Sequence, residues 1–245
     1  MEATVYISHG SRNEQGNELF VSFIEKVIAK GSDKNASYGY LENASPSIFE
    51  AVESSIKQGA EEVTVVPVLL LPGIHANEDI PAQLEKVKQK YPKVKIFYGK
   101  PLGENETALE IILDRLKEQG FTDSETEMVL LVGHGSRDSQ AAAEFEKLSA
   151  LFQEKMRSKV DTGYITTNPF YADKLLSCRD YAKVFLVPYL LYTGGFTAKM
   201  EEKLKEVHSK KPTNEFILCN AFGFDERLGD LLLQRAEEAM KLQTI

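Results

Sequence analysis

Cysteine is nearly missing from this chain. Only Cys178 and Cys219 occur in 245 residues, at no metal-ligand spacing; that argues against a disulfide framework and fits a reducing compartment. Long apolar runs are missing too. The longest, VTVVPVLLLPGI at 63–74, is short and broken by proline, which excludes it as a bilayer-spanning helix. The opening MEATVYISHG has no basic segment ahead of an apolar one, so no secretory signal and no membrane association are expected, and a cytoplasmic location is. Positive charge is in deficit, with 29 Lys and Arg against 37 Asp and Glu and a net charge of -8. That balance predicts no nucleic-acid surface, and an acidic ligand would have to be gripped by local donors rather than by the overall field. Gly10 and Gly16 are wrongly spaced for a GxGxxG turn or a P-loop, so a glycine-rich phosphate loop is not expected.

What is present is an ordinary globular composition, 42% hydrophobic and 27% charged, together with an internal repeat. The segment YISHGSRNEQGN at 6–17 returns as LVGHGSRDSQAA at 131–142, and two of the four histidines sit in it. The copies extend further: GYLENASP is matched by GYITTNP, and VPVLLLPGI by VPYLLYTGG. In the first half, helical periodicity covers 14–30, with Leu19, Phe20, Phe23, Ile24 and Val27 on one face, and then 47–58, 78–91 and 105–119. Strand-like segments fall at 36–42, 61–73 and 93–99. The second half retraces this with strands at 126–135, 161–167, 181–195 and 214–220 and helices at 139–157, 197–209 and 225–241. The boundary falls near 120–126, within GFTDSETE, a run of turn-forming residues. Strands of nearly continuous Val, Ile and Leu alternating with helices predict parallel sheets covered on both faces. The expectation is two similar α/β domains, residues 1–122 and 123–245.

Ligands of such sheets collect at the carboxyl ends of the strands. His9 follows the first strand, Glu42 the second and His75 the third, so three loops deliver two imidazoles and a carboxylate to one edge. Each residue alone reads more simply as a turn or solvent contact; the shared edge is what favours function. Such an N/O donor set suits divalent iron, cobalt, nickel or zinc, and three ligands leave coordination positions open, as chemistry at the metal requires. In the second half His134 matches His9, but Phe196 falls opposite His75 and Ile165 or Thr166 opposite Glu42, so the same site cannot assemble there. His134 reads as a pocket wall, a substrate contact or a relic. Ser11 and Arg12 open the first helix, where backbone N–H groups and a guanidinium favour a carboxylate or phosphate; helix capping and a surface ion pair explain them equally well. Glu78 and Asp79, just beyond His75, could draw a cation toward it, but first-turn helix carboxylates are the commoner explanation.

At SHGSR (8–12), LENASP (41–46) and LLLPGIHANEDIP (69–81), the sequence resembles the class II chelatases of tetrapyrrole synthesis in their long two-domain form. The resemblance covers nearly the whole chain. It implies two flavodoxin-like domains facing each other across an active-site cleft, with the complete site in residues 1–122. It implies metal binding and proton removal by His9 and His75 with Glu42 assisting, and insertion of Fe2+ into sirohydrochlorin to give siroheme with release of two protons. No organic cofactor is implied; the divalent metal (Fe2+, or Co2+ or Ni2+) is itself a substrate. Leu69, Leu70, Leu71, Ile74 and Phe196 would wall an apolar slot, and Ser11, Arg12 and Arg137 would meet the macrocycle's carboxylates. A duplicated chain implies a monomer with pseudo-twofold symmetry. Two alternatives stay open from the residues themselves: cobalt insertion toward cobalamin, because the ligand set does not separate Fe2+ from Co2+, and a two-lobed protein that binds a metal or small ligand without chemistry. A metal-dependent hydrolase lacks the carboxylate cluster or activated nucleophile it would need.

Overall fold

The computed structural model describes residues 1–178, 180–210, 214–242 and 244. The first half runs β1 (Glu2–Ser8), α1 (Glu14–Lys30), β2 (Ser37–Tyr40), α2 (Ile48–Lys57), β3 (Glu62–Val68), a π-helical turn (His75–Asp79), α3 (Ile80–Lys90), β4 (Lys95–Tyr98) and α4 (Glu106–Lys117). The second runs β5 (Glu127–Gly133), α5 (Ser139–Glu154), β6 (Lys159–Tyr164), α6 (Tyr171–Ser177), β7 (Lys183–Pro188), α7 (Phe196–Lys210), β8 (Glu215–Leu218) and α8 (Leu228–Ala239). The short helix α6 has no counterpart in the periodicity of YADKLLS, which spans less than two turns; the repeat itself was the signal, since α2 occupies the same place in the first half.

Each half forms a four-stranded, wholly parallel sheet, ordered β2-β1-β3-β4 and β6-β5-β7-β8. The chain order reverses between the two central strands, which makes their carboxyl ends the switch point where such folds bind ligands. Side chains alternate across the sheet. Ala3, Val5 and Ile7 of β1 and Val63 and Val65 of β3 enter a core with Ile48 and Val52 of α2 and Ile80 and Leu84 of α3. The opposite face buries Tyr6, Val66 and Val68. Burial on both faces explains why the strands read as apolar runs rather than as alternation. Pro67 is tolerated in β3 because β4 pairs only as far as Val65, so the missing N–H breaks no rung there.

The compact units do not follow the expected division at 122/123. One comprises Met1–Gly103 and Phe224–Ile245, the other Glu104–Gly223. Each half hands its last helix to the other: α8 packs on α1 and β3, and α4 on β7. Phe224, just ahead of α8, seats its ring 5.6 Å from Phe20 and 5.5 Å from Phe23. An apolar helix face specifies that a sheet must cover it, not which sheet. Leu19, expected on the buried face of α1, is 58% exposed; the stripe that packs is Phe20, Phe23, Ile24 and Val27.

Candidate functional site

The site is built at the carboxyl edge of the first sheet. β1 ends at Ser8, and Gly10 turns the chain with φ +86°. A Cβ at Gly10 would stand 1.9 Å from the Glu42 carbonyl oxygen, so glycine is needed both for the left-handed backbone and for the approach of the next loop. The β1–β2 ladder continues past the strands, with Leu41 N–H donating to Ser8 O (2.8 Å) and Glu42 N–H to His9 O (3.0 Å). His9 and Glu42 are thereby tied by the backbone before their side chains meet. The His9 Nδ1 to Glu42 Oε1 distance is 3.7 Å.

His75 arrives from β3. It opens the π-helical turn, in which Ile80 N–H donates back to His75 O, a widened turn frequent at functional sites. The Tyr98 hydroxyl, on β4, donates to Ala76 O at 2.7 Å and pins this turn to the sheet edge; burial pushes the Tyr98 phenol above its ordinary pKa. The His9 and His75 rings then meet edge to face, centroids 4.7 Å apart and planes at 90°. His9 is about one-third exposed and Glu42 about half. Glu42 and His75 line an open groove of about 350 Å³ with Leu41, Asp79, Ala82, Gln83 and Lys86.

The three residues picked from the sequence are therefore brought together, but they do not form a finished ligand cage. Among the described residues no group of three His, Cys, Asp or Glu side chains is disposed to hold a metal ion as it stands. Each of the three side chains makes a contact of its own. His9 Nδ1 is 3.1 Å from the Gly10 carbonyl oxygen, His75 Nδ1 is 2.7 Å from Asp79 Oδ2, and Glu42 Oε1 accepts from Asn43 Nδ2 at 2.9 Å. The three residues gather at one sheet edge.

The remaining expectations divide. Ser11 closes its own loop: its N–H donates to Asn17 Oδ1 (2.8 Å) and its Oγ accepts from Asn13 N–H (3.1 Å). Asn13, not Ser11, is the cap of α1. Arg12 is exposed and its Nε lies 3.4 Å from Asn43 Oδ1, which links the His9 loop to the Glu42 loop through Asn43. Arg137 is exposed in the second unit, after β5. Of the apolar wall, Leu69 packs against the core of the first unit and Ile74 is exposed. The expectation for Asp79 is a first-turn carboxylate; its side chain makes no capping bond. Sequence reasoning missed its contact with His75. The i, i+4 spacing carried that signal, but the helix expected over 78–91 began too late to include His75.

The second unit repeats the backbone and changes the side chains. Gly135 has φ +96°, Thr166 N–H donates to His134 O at 3.0 Å, and His134 Nδ1 lies 3.1 Å from Gly135 O. Phe196 stands edge-on to His134, centroids 5.5 Å apart, in the relation His75 has to His9. Thr166, rather than Ile165, occupies the place of Glu42. No helix among the described residues is long and apolar enough to cross a membrane.

Comparison with known proteins adds three findings. The CbiX family model matches residues 3–119 and again 128–239. Sirohydrochlorin ferrochelatase of Priestia megaterium is 35% identical over 236 residues, covering 95% of this chain and 88% of that protein; the sirohydrochlorin cobaltochelatase of the same organism is 33% identical over 252 residues, covering 98% and 81%. A solved structure described as SirB from Bacillus subtilis with Fe3+ superposes with a TM-score of 0.88 at 31% identity, covering 97% of this chain and 95% of that one.

Proposed function

Because this chain belongs to the CbiX family, we propose that it inserts Fe2+ into sirohydrochlorin, forming siroheme and releasing two protons. The observation that carries the reading is the meeting of two imidazoles and a carboxylate at the switch point of the first sheet, with the His9 and His75 centroids 4.7 Å apart. Insertion requires a hydrated cation to be partly stripped, held loosely and released into the macrocycle, while two pyrrole protons are taken up. Neutral imidazoles both ligate a divalent metal and accept protons near neutral pH. Glu42 supplies one negative charge, which gathers the cation without enclosing it; three protein ligands leave positions for water and for pyrrole nitrogen. In this reading His9, His75 and Glu42 hold the incoming metal and remove the protons, and Ser11 and Arg12 face the acidic macrocycle. Residues 1–122 carry the complete residue set. A single chain supplying both units acts as a monomer, which light scattering tests directly.

The same donors accept Co2+, and the 33% identity with a cobaltochelatase over nearly the whole chain makes cobalt insertion the second reading. Turnover of sirohydrochlorin followed by absorbance, with Fe2+, Co2+ and Ni2+ compared and enzyme-free controls subtracted, separates the two. Faster insertion of Fe2+ is the expected result. Faster insertion of Co2+ favours the second reading, and stoichiometric binding without turnover overturns both.

A further inference from the structure

We propose that Asp79 is a positioning residue for His75: its carboxylate holds the proton on Nδ1 and so commits the Nε2 lone pair to the metal. The role of Nε2 rests on the chelatase reading above; the tautomer rests on geometry alone. His75 Nδ1 and Asp79 Oδ2 are 2.7 Å apart. An ionised carboxylate only accepts, so a hydrogen bond there requires the imidazole to carry its hydrogen on Nδ1. The lone pair of the neutral ring is then on Nε2. Left to itself, a neutral imidazole in water prefers the opposite tautomer, so the carboxylate reverses a default.

Three further observations support the assignment. First, both partners are fixed by backbone. His75 and Asp79 are the two ends of one π-helical turn, held by Asn77 N–H donating to Gly73 O at 2.8 Å and by the Tyr98 hydroxyl on Ala76 O. Second, Asp79 does not do what its position at the head of α3 suggests, since its side chain makes no capping bond; it faces the same groove as His75 and Glu42. Third, the second unit drops both residues together. In the VPYLLYTGGFTAKM segment, Phe196 stands where His75 does and Met200 where Asp79 does, and Met200 is buried. Where the imidazole is gone, its carboxylate is gone too.

Hydrogen-bonded carboxylates of this kind fix ring orientation and raise ligand basicity; their loss typically costs 10–100-fold in metal affinity. The test uses the full chain, 15N-labelled and metal-free, at about pH 8, where a histidine of ordinary pKa is neutral. Two-bond proton–nitrogen spectra report the tautomer, with the His75 signal assigned by His75→Gln. The wild type and Asp79→Glu are expected to show the Nδ1–H form, and Asp79→Ala the Nε2–H form. In a Co2+ titration Asp79→Ala is expected to bind about 10–100-fold more weakly, with Asp79→Glu recovering most of the loss. An Nε2–H tautomer in the wild type, an unchanged tautomer in Asp79→Ala, or undiminished Co2+ affinity in that variant overturns the proposal. Because the spectra need neither metal nor macrocycle, a wild type that fails to turn over sirohydrochlorin refutes the chelatase reading separately.

Discussion

Gly10→Ala is the substitution most informative about how the site is assembled. An alanine there must hold φ near +86°, a conformation costing an L-residue about 1–2 kcal/mol. Its Cβ would also sit 1.9 Å from the Glu42 carbonyl oxygen. That atom is backbone and has no rotamer to escape into, so the 41–43 loop must move. Movement breaks the bond from Glu42 N–H to His9 O, worth about 1 kcal/mol net. The sum is about 2–3 kcal/mol, or a fall of about 4–12 °C in melting temperature for a chain of this size. Rate should suffer more than stability, because a displacement of about 1 Å in a reacting group costs about 100-fold. Gly135→Ala is the matched control. Its Cβ would meet the Thr167 and Thr166 hydroxyls at 2.5 and 2.8 Å, on side chains that rotate, and the Thr167 backbone nitrogen at 3.1 Å, a far milder backbone approach than at Gly10, so the cost of the φ of +96° and a small local shift remain. Circular dichroism melts and absorbance-monitored iron insertion on both variants give the comparison. Gly10→Ala is expected to lose activity and Gly135→Ala to lose stability alone. Wild-type kcat/KM in Gly10→Ala, or inactivity confined to Gly135→Ala, would refute the reasoning.

Two further outcomes follow from contacts around the site. Tyr98→Phe removes the hydroxyl that holds Ala76 O and leaves that carbonyl without this partner; about 1–2 kcal/mol of stability and several-fold in KM for the metal should be lost, with the melt and initial-rate kinetics as readouts and an unchanged KM as the contrary result. Glu53 accepts hydrogen bonds from Lys57, Lys90 and Tyr91, and the first-named lysine contributes most to lowering its pKa to about 2. A carboxyl lowered on folding stabilises the native state above its unfolded pKa of about 4.3 and loses that contribution as pH falls from there toward about 2. Glu53→Gln should therefore lower the urea midpoint at pH 7, with the gap narrowing below about pH 4 and closing only below about pH 2; a gap that stays constant with pH would contradict this.

The fold was readable because the apolar patterning was nearly unbroken. β1, β3, β5 and β7 are buried on both faces, and a strand of that kind advertises itself as a run of Val, Ile and Leu. The repeat did the rest, since two weak readings in register reinforce one another. Loop-borne His9, Glu42 and His75 were legible as a set because parallel topology sends every β-to-α loop to the same edge. What was not legible depended on distance or on side-chain direction. The exchange of α4 and α8 between units leaves no local trace, because each helix has the same amphipathic stripe whichever sheet receives it. The aim of the ring nitrogens is set by single hydrogen bonds, to Gly10 O for His9 and to Asp79 for His75, and composition says nothing of those. Asp79 was visible as a residue and misassigned in role, because an acidic residue ahead of a helix is far more often a cap than a partner to a ring one turn away.

Iron insertion by His9→Ala and His75→Ala, set against His134→Ala, tests the central claim most directly. The first two should fall by about 100-fold or more, the range associated with losing a positioned proton acceptor, while His134→Ala keeps close to the wild-type rate. Wild-type rates in His9→Ala and His75→Ala, or loss confined to His134→Ala, would place the chemistry elsewhere in the chain and contradict the account.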